Sequence, residues 1–279
     1  MSPSGSVEWS ADLGSRSPSP ALAWGGVAVA TLDGRLVYLE DGGVSWELRL
    51  PGPCSTPPLP SGGLVLVHTD SGVALAVSEG GEVAWSRRVG PPSAPPAELS
   101  GLALFPVRGG RVVALDPGSG LPAWEADLGA PVVGLCSLGG LAPAALADGS
   151  LSALSPDGSE AWRVGLSGVP SAPPASGGGL VFVGTLAGTV QAFSESGEPA
   201  WEADLGSAPS GLCSAGPLLA VALSDGTLSV LSAEDGSEVW SGALEGIPSD
   251  VPSSVGGLIL VPLSGGRLEA LSGGGPGRG

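Results

Sequence analysis

The sequence predicts an all-β protein, a seven-bladed β-propeller built from four-stranded blades, and three observations support this fold class. Tryptophan recurs at intervals of 37 to 39 residues, and a turn glycine recurs at intervals of 38 to 40 residues. Glycine (49 residues) and proline (28 residues) are too abundant for a helical bundle. The hydrophobic fraction of 42 % is too high for a disordered chain. A period near 40 residues with one tryptophan per unit is typical of propeller blades.

Two series of residues mark the blades, and both are interpreted as structural. The tryptophans in register are expected on the outer strand of each blade, where each packs against the neighbouring blade; they are Trp9, Trp46, Trp85, Trp124, Trp162, Trp201 and Trp240. The glycines are expected in the tight turn between the second and third strands; they are Gly34, Gly72, Gly110, Gly149, Gly188, Gly226 and Gly266. Several of these turns read Asp-Gly, which suits the positive φ angles of a type I′ turn.

Residues 171–206 show the order of elements within one unit. A short proline-containing segment leads to a Gly-Gly turn, and residues 179–186 then form an apolar run typical of a β-strand. A tight turn at Ala187-Gly188 leads to a third strand over residues 189–194, and a polar turn leads to a fourth strand around Trp201. The central runs do not alternate with polar residues. We therefore expect these strands to be buried on both faces between neighbouring blades.

The two ends of the chain are predicted to share one blade. The last unit, residues 255–272, has no tryptophan strand of its own, whereas residues 5–14 closely match residues 197–206. The N-terminal strand is therefore expected to complete the seventh blade. This prediction gives a single domain over residues 5–272, followed by a flexible glycine-rich tail over residues 273–279.

The charge of the chain excludes some classes of partner. Ten arginines and no lysine face 27 acidic residues, which gives a net charge of −17. Because nucleic acids and anionic membranes are bound by clustered basic residues, neither is an expected partner. No apolar run approaches the length of a membrane-spanning helix, and no signal peptide is recognisable. As it stands the chain reads as cytoplasmic, or as periplasmic or extracellular if it is a trimmed mature form, and we expect a monomer.

The units resemble the PQQ-like (quinoprotein-type) propeller repeat. The stretch Gly179 to Thr185 matches the opening of that repeat. The stretch Ala114 to Gly120, with Trp124 four residues later, matches its close. The resemblance implies a WD40-like propeller, similar in kind to the assembly scaffold BamB. Cofactor-using members of the family stack a quinone on adjacent cysteines and bind calcium through residues that include asparagine. This chain has no adjacent cysteines and no asparagine, so no cofactor or metal is expected.

A few residues outside the repeat pattern are candidates for function. Trp24 is out of register and aligns with Gly177 in a turn, so it is either a contact for a partner or part of local packing. His68 is the only histidine and a possible contact for a partner, and it lacks the nucleophile or second histidine that catalysis or zinc binding would need. Cys136 and Cys213 share one repeat position, which indicates a small buried site on the innermost strand. Cys54 lies in a loop and is expected to be the more reactive thiol.

The hypothesis favoured by these observations is a non-catalytic scaffold whose loops bind another protein or peptide. One alternative is an enzyme or small-ligand binder, including a quinoprotein-type oxidoreductase, that uses the central channel. A further alternative is an idealised or engineered repeat protein without an evolved function. Convergent carboxylates, arginines or tryptophans at one mouth of the channel would favour the enzyme.

Overall fold

The structure is a computed structural model that describes residues 11–18, 21–255, 258–264 and 267–272. The chain divides into two compact units, residues 1–135 with 156–159 (unit 1) and residues 136–155 with 160–279 (unit 2). All regular elements among the described residues are β-strands. No helix long and apolar enough to cross a membrane occurs in this part of the chain. The prediction of one domain over residues 5–272 stays a prediction, and the tail after residue 272 lies outside the described residues.

The 27 strands among the described residues follow one another along the chain, mostly in antiparallel pairs. Those of unit 1 are β1 (Ala21–Ala23), β2 (Gly26–Ala30), β3 (Arg35–Glu40), β4 (Gly43–Arg49), β5 (Leu59–Ser61), β6 (Leu64–His68), β7 (Val73–Val77), β8 (Val83–Arg88), β9 (Ala97–Leu99), β10 (Leu102–Val107), β11 (Arg111–Leu115), β12 (Pro122–Asp127) and β13 (Val132–Leu135). Those of unit 2 are β14 (Ala142–Leu146), β15 (Ser150–Leu154), β16 (Glu160–Gly165), β17 (Ala175–Gly177), β18 (Leu180–Gly184), β19 (Thr189–Ser194), β20 (Pro199–Asp204), β21 (Pro209–Ala215), β22 (Leu218–Leu223), β23 (Thr227–Ser232), β24 (Glu238–Ala243), β25 (Ser253–Val255), β26 (Leu258–Leu263) and β27 (Arg267–Ser272).

These strands form seven successive sheets in which each strand pairs with the next. The sheets are β1–β4, β5–β8, β9–β12, β13–β16, β17–β20, β21–β24 and β25–β27, numbered here as sheets 1 to 7. The fold is an all-β seven-bladed propeller, which confirms the predicted fold class. Sheet 7 has three strands among the described residues. The predicted N-terminal strand that would complete it falls on residues 5–10, outside the described residues.

The second and third strands of sheets 1 to 6 supply most of the buried core residues among those that the structure describes. In unit 1, Leu66 of sheet 2 packs in one cluster with Phe105 and Leu115 of sheet 3, and all three side chains are fully buried. Burial of each such side chain contributes about 1.5 to 3 kcal/mol. In unit 2, Phe182 of sheet 5 packs in the same way with Leu219 of sheet 6. The apolar runs without alternation are therefore strands covered on both faces, as predicted.

Each fourth strand carries a β-bulge that the sequence pattern did not reveal. In sheet 2, Ala76 pairs with Trp85, but the next residue, Val77, pairs with Val83, so one residue of the fourth strand has no partner. The same shift occurs beside Trp46, Trp124, Trp162, Trp201 and Trp240. A bulge increases the local twist of a strand and redirects a side chain. Here it lies immediately before the repeated tryptophan.

Candidate functional site

Five of the repeated tryptophans join the fourth strand of one sheet to a turn of the next sheet. In each, the indole N–H donates a hydrogen bond to a backbone carbonyl in the turn between the third and fourth strands. The pairs are Trp46 with Glu79, Trp85 with Pro117, Trp124 with Pro156, Trp162 with Glu195 and Trp201 with Ala233, at 2.7 to 3.0 Å. Both partners of each hydrogen bond lie in the same unit, and the contact connects neighbouring sheets of that unit.

A glycine lies under each of these indole rings. A Cβ atom added to Gly120 would lie 2.5 Å from Cδ2 of Trp85, and Gly120 has a φ of +68°. Both the close approach of the ring and the backbone angle therefore require glycine there. The other rings are covered in the same way by Gly81, Gly158, Gly197 and Gly236. This second glycine series follows the same period as the first, but it was not singled out from the sequence.

The turn glycines predicted from the period lie between the second and third strands. The carbonyl of each accepts a hydrogen bond from the residue after the fourth strand of the same sheet; the pairs are Gly34 with Leu50, Gly72 with Val89, Gly110 with Leu128, Gly149 with Leu166, Gly188 with Leu205 and Gly226 with Leu244. Trp240 lies on β24 and is 44 % exposed. Trp9 and Gly266 lie outside the described residues.

His68 is a fully buried residue at the end of β6. Its Nε2 lies 2.8 Å from the carbonyl oxygen of Gly90, which fits a protonated Nε2 that donates, and its ring meets Phe105 edge-on at 5.4 Å. The Nδ1 atom is buried without a hydrogen-bond partner. Burial lowers the pKa of His68, because a charged imidazole would lose its hydration. The side chain is therefore a packed neutral imidazole rather than an exposed contact for a partner.

Cys54 is buried, so the prediction that it is the reactive thiol was wrong. The loop that holds Cys54 packs against sheet 1, where the Cys54 amide donates a hydrogen bond to the Thr31 carbonyl. Its Sγ lies 3.2 to 3.3 Å from the carbonyls of Thr56 and His68. Burial raises the pKa of the thiol to about 11, which removes the reactive thiolate at neutral pH. Cys136 and Cys213 are half-buried and are also free thiols.

Trp24 forms the turn between β1 and β2 and has a strained backbone. Its φ is +50°, an angle that is a genuine outlier for a bulky residue. The strand register aligns Trp24 with Gly178, one residue after the Gly177 expected from the sequence. The indole N–H donates to the carbonyl of Gly63 at 3.0 Å. The ring is half-buried, so its face and its edge are only partly covered by the protein.

An aromatic cluster in sheet 1 supports this turn. Tyr38 stacks on Trp46 at 5.5 Å and meets Trp24 edge-on at 5.4 Å. Its hydroxyl lies within 3.2 Å of the carbonyls of Ala23 and Trp24, to which it donates. Gly26 makes room for it, since an added Cβ there would lie 2.7 Å from the Tyr38 hydroxyl oxygen and would also press on the Leu39 carbonyl oxygen.

The Trp24 turn borders a surface groove of about 380 Å³, which we call the Trp24 groove. It is lined by Leu22, Ala23, Trp24, Pro60, Ser61, Gly62, Gly63, Leu64 and Glu98. Leu22, Pro60 and Glu98 are the middle residues of the first strands of sheets 1, 2 and 3. Leu22 is 80 % exposed. The Glu98 carboxylate accepts a hydrogen bond from the Ser61 hydroxyl at 2.7 Å.

One carboxylate lines the groove, and two others lie in or beside turns of sheets 1 and 2. Glu98 is an exposed lining residue, and Glu40 and Glu79 are exposed in or beside the turns that follow β3 and β7. Burial, followed by the negative charge of Glu40 and that of Glu79, raises the pKa of Tyr38. Among the described residues of unit 1, no arginine lies in a turn after a first or third strand.

The groove offers apolar surface, one fixed carboxylate and no set of groups arranged for chemistry. Among the residues that the structure describes, no three His, Cys, Asp or Glu side chains are grouped to hold a metal ion. Leu22, Pro60 and Glu98 were not singled out from the sequence. The signal that could have found them is their shared place in the repeat, where the equivalent residues of sheets 5 and 7 are serines, Ser176 and Ser254.

The seven sheets, six of which carry a tryptophan on a fourth strand among the described residues, and the glycine-rich turns define a propeller of the PQQ-like repeat class. The family model described as outer membrane protein assembly factor BamB matches residues 1–135 and 147–275. The chain belongs to this family. A comparison with curated proteins finds no match.

Solved structures share the fold at low sequence identity. The crystal structure of BamB from Moraxella catarrhalis superposes with a TM-score of 0.81 and 22 % identity, over 96 % of this chain and 86 % of that one. The C-terminal WD40 domain of Sif2 gives 0.79 and 15 %, over 93 % and 82 %. BBS1N, in its complex with ARL6DN, gives 0.69 and 14 %, over 90 % and 90 %. These similarities establish a WD40-like propeller fold.

Proposed function

We propose that this protein is a non-catalytic scaffold that binds an extended segment of another protein in the Trp24 groove. The observation that supports this function is the exposed apolar surface of Leu22 next to the half-buried ring of Trp24. An exposed leucine by itself is ordinary, but an apolar groove with one fixed polar group is typical of a binding site. The protein-bound BBS1N structure supports the proposal by fold analogy alone.

The shape of the site favours an extended segment rather than a compact ligand. The lining residues come from three consecutive first strands, the two turns that follow β1 and β5, and the start of β6. An extended peptide presents its side chains at a regular spacing, so its apolar residues can contact Leu22 and Leu64 in turn.

Site-specific photo-crosslinking tests the proposed function. A photoreactive phenylalanine analogue replaces Leu22, and the control places it at Leu186, a 64 % exposed leucine in the turn between β18 and β19. In host extract, we expect a cross-link to one protein segment from position 22 and none to that segment from position 186. The segment is identified by mass spectrometry and then synthesised.

Binding of the synthetic segment completes the test. Because burial of a leucine contributes about 1.5 to 3 kcal/mol, we expect Leu22→Glu to weaken binding by about tenfold or more. Leu186→Glu should leave the affinity unchanged. Equal cross-linking from both positions, or equal affinity of both variants, would overturn the proposed function.

A further inference from the structure

We propose that the segment bound in the Trp24 groove adds to the free edge of β1 as a β-strand. It exchanges backbone hydrogen bonds with Leu22, one through the Leu22 N–H and one through the Leu22 carbonyl. This inference rests on the proposed function and adds the mode of binding, which the apolar surface alone does not define. The partner is then an extended segment of another protein whose backbone groups are unpaired before it binds.

The backbone groups of Leu22 point away from sheet 1. β1 is the first strand of that sheet and pairs on one side only, with β2. The two strands are joined by the turn Trp24-Gly25, whose φ angles of +50° and +89° suit a type I′ turn, and Leu22 pairs with Val27. In such a hairpin the residues next to the turn exchange both hydrogen bonds, and the following pair exchanges none. The N–H and the carbonyl of Leu22 therefore face the free edge.

Two other sheets support this direction for the middle residue of a first strand. In sheet 4, Leu138 and Leu141 exchange both backbone hydrogen bonds beside the equivalent turn, so the backbone groups of the preceding Ser137 face outward. In sheet 2 the equivalent residue is Pro60, in the middle of β5. A proline has no N–H, and a strand accepts it where that N–H would point off the sheet.

In unit 2, serine hydroxyls of the neighbouring sheet cover this edge. The Ser176 hydroxyl of sheet 5 donates to the Ser137 carbonyl of sheet 4 at 2.8 Å, and the Ser254 hydroxyl of sheet 7 donates to the Ser214 carbonyl of sheet 6 at 3.2 Å. Both donors are the middle residues of their first strands. The outward carbonyls of these two sheets thus already have a partner within the protein, and an added strand would have to displace it.

Sheet 1 has no such cover. The residue of sheet 2 at the position of these serines is Pro60, which carries neither a hydroxyl nor an N–H. Among the residues that the structure describes, no side chain donates a hydrogen bond to the Leu22 carbonyl. Leu22 therefore offers a donor and an acceptor side by side, next to the apolar surface of Pro60 and Leu64 in the groove. This pattern is complementary in charge and spacing to the backbone of an extended segment.

Backbone methylation of the bound segment tests the pairing. The probe is the synthetic segment that cross-links to position 22, methylated at one backbone nitrogen at a time. A methyl group removes the donor and adds bulk at that edge. Because successive residues of a strand direct their N–H groups to opposite sides, fluorescence anisotropy should show a loss of about tenfold or more at one position. Its two immediate neighbours should lose less than about twofold.

Replacement of Pro60 by serine should block the edge from the protein side. Pro60→Ser supplies a hydroxyl at the position from which Ser176 and Ser254 bond the neighbouring carbonyl, so the variant should occupy the Leu22 carbonyl. Pro60→Ala is the matched control, since it removes the same ring from the groove without adding a hydroxyl. We expect Pro60→Ser to bind the synthetic segment about threefold or more weakly than Pro60→Ala.

Replacement of Leu22 by proline removes the other hydrogen-bonding group. Leu22→Pro and Leu22→Ala both shorten the apolar side chain, but only the first removes the backbone N–H. Pro60 at the equivalent position of sheet 2 shows that a proline fits here, and urea unfolding verifies that both variants fold. Leu22→Pro should bind the synthetic segment about two- to tenfold more weakly than Leu22→Ala.

Each of these comparisons can contradict the inference. It is overturned by equal losses at successive methylated positions, by equal binding of Pro60→Ser and Pro60→Ala, or by equal binding of Leu22→Pro and Leu22→Ala. A cross-linked segment that belongs to this chain would identify a second copy as the occupant and would also overturn it. The proposed function stands in the first three cases if position 22 still cross-links to one segment of another protein. Absence of the cross-link refutes the proposed function itself, so the two failures are distinguishable.

Discussion

Replacement of Gly120 by alanine should destabilise the protein by displacing the indole ring of Trp85. The added Cβ would lie 2.5 Å from Cδ2 and 2.6 Å from Cε3 of that ring, and a carbon–carbon contact needs about 3.5 Å. The ring must therefore move away from the turn between β11 and β12. Its hydrogen bond to the Pro117 carbonyl is then lost or distorted.

Three costs set the expected magnitude. The positive φ of +68° costs about 1 to 2 kcal/mol for a residue with a Cβ atom. Loss of the indole hydrogen bond costs about 1 kcal/mol. A tryptophan buries about 150 to 250 Å², worth about 4 to 6 kcal/mol at 25 cal/mol per Å², and loss of a third of this burial costs about 1 to 2 kcal/mol. The expected loss in the free energy of unfolding is about 3 to 5 kcal/mol.

Urea unfolding followed by circular dichroism measures this loss, and Gly118→Ala in the same turn is the control. Gly118 has no positive φ, and its Cβ would have only an ordinary contact at 3.6 Å, so its replacement should change stability by about 1 kcal/mol or less. In a Trp85→Ala background the ring is gone, and Gly120→Ala should cost only the backbone strain of about 1 to 2 kcal/mol. If Gly120→Ala costs no more than Gly118→Ala, the glycine does not hold the ring and the reasoning is refuted.

Three further predictions concern the interior of unit 1. Gly26→Leu and Tyr38→Ala should each destabilise the protein by about 2 kcal/mol or more in urea unfolding. The double variant has the Leu and Ala that sheet 2 has at the equivalent positions, so its loss in the free energy of unfolding should be smaller than the sum of the two single losses. Additive losses would contradict this. Burial lowers the pKa of His68, so the unfolded chain takes up a proton first as the pH falls through 6.5. The contribution of His68 to the free energy of unfolding should therefore be fully present above that pH, and the free energy should fall by up to about 1.4 kcal/mol between pH 7.5 and pH 5.5. His68→Gln should abolish this fall, whereas a fall caused by the surface carboxylates would persist in the variant. Finally, a disulfide-exchange reagent at pH 8 should leave Cys54 unmodified in the folded protein, and rapid loss of that thiol would disprove its burial.

The repeat period predicted the fold because each unit uses the same local physics. A tryptophan on a fourth strand, an apolar second strand and a glycine in a tight turn follow from the composition of each unit separately. The strand bounds of sheet 5 agree with the elements expected over residues 171–206. The bulge before each tryptophan was not predicted, because one unpaired residue leaves no mark in a pattern of short strands.

The Trp24 groove could not be predicted because it depends on contacts between different units of the repeat. Trp24 was recognised as out of register. The turn that holds it, however, also needs both Gly26 and Tyr38, which differ together from the residues at the equivalent positions of sheet 2. The exposure of Leu22 depends on which residues, distant in the sequence, pack beside β1. Cys54 shows the opposite case, since a residue in an apparent loop is buried when that loop packs under a neighbouring sheet.

The bulged fourth strands have a consequence for how copies of this chain behave toward one another. An outermost strand normally presents a row of unpaired backbone groups on which a strand of another molecule can add, and this is a common route to aggregation. A bulge interrupts that row, and the residue after Trp124 and after Trp201 is a glutamate, which adds charge to the same edge. A chain with a mean hydropathy of +0.34 thus keeps its apolar strands inside the sheets and offers poor templates at their margins.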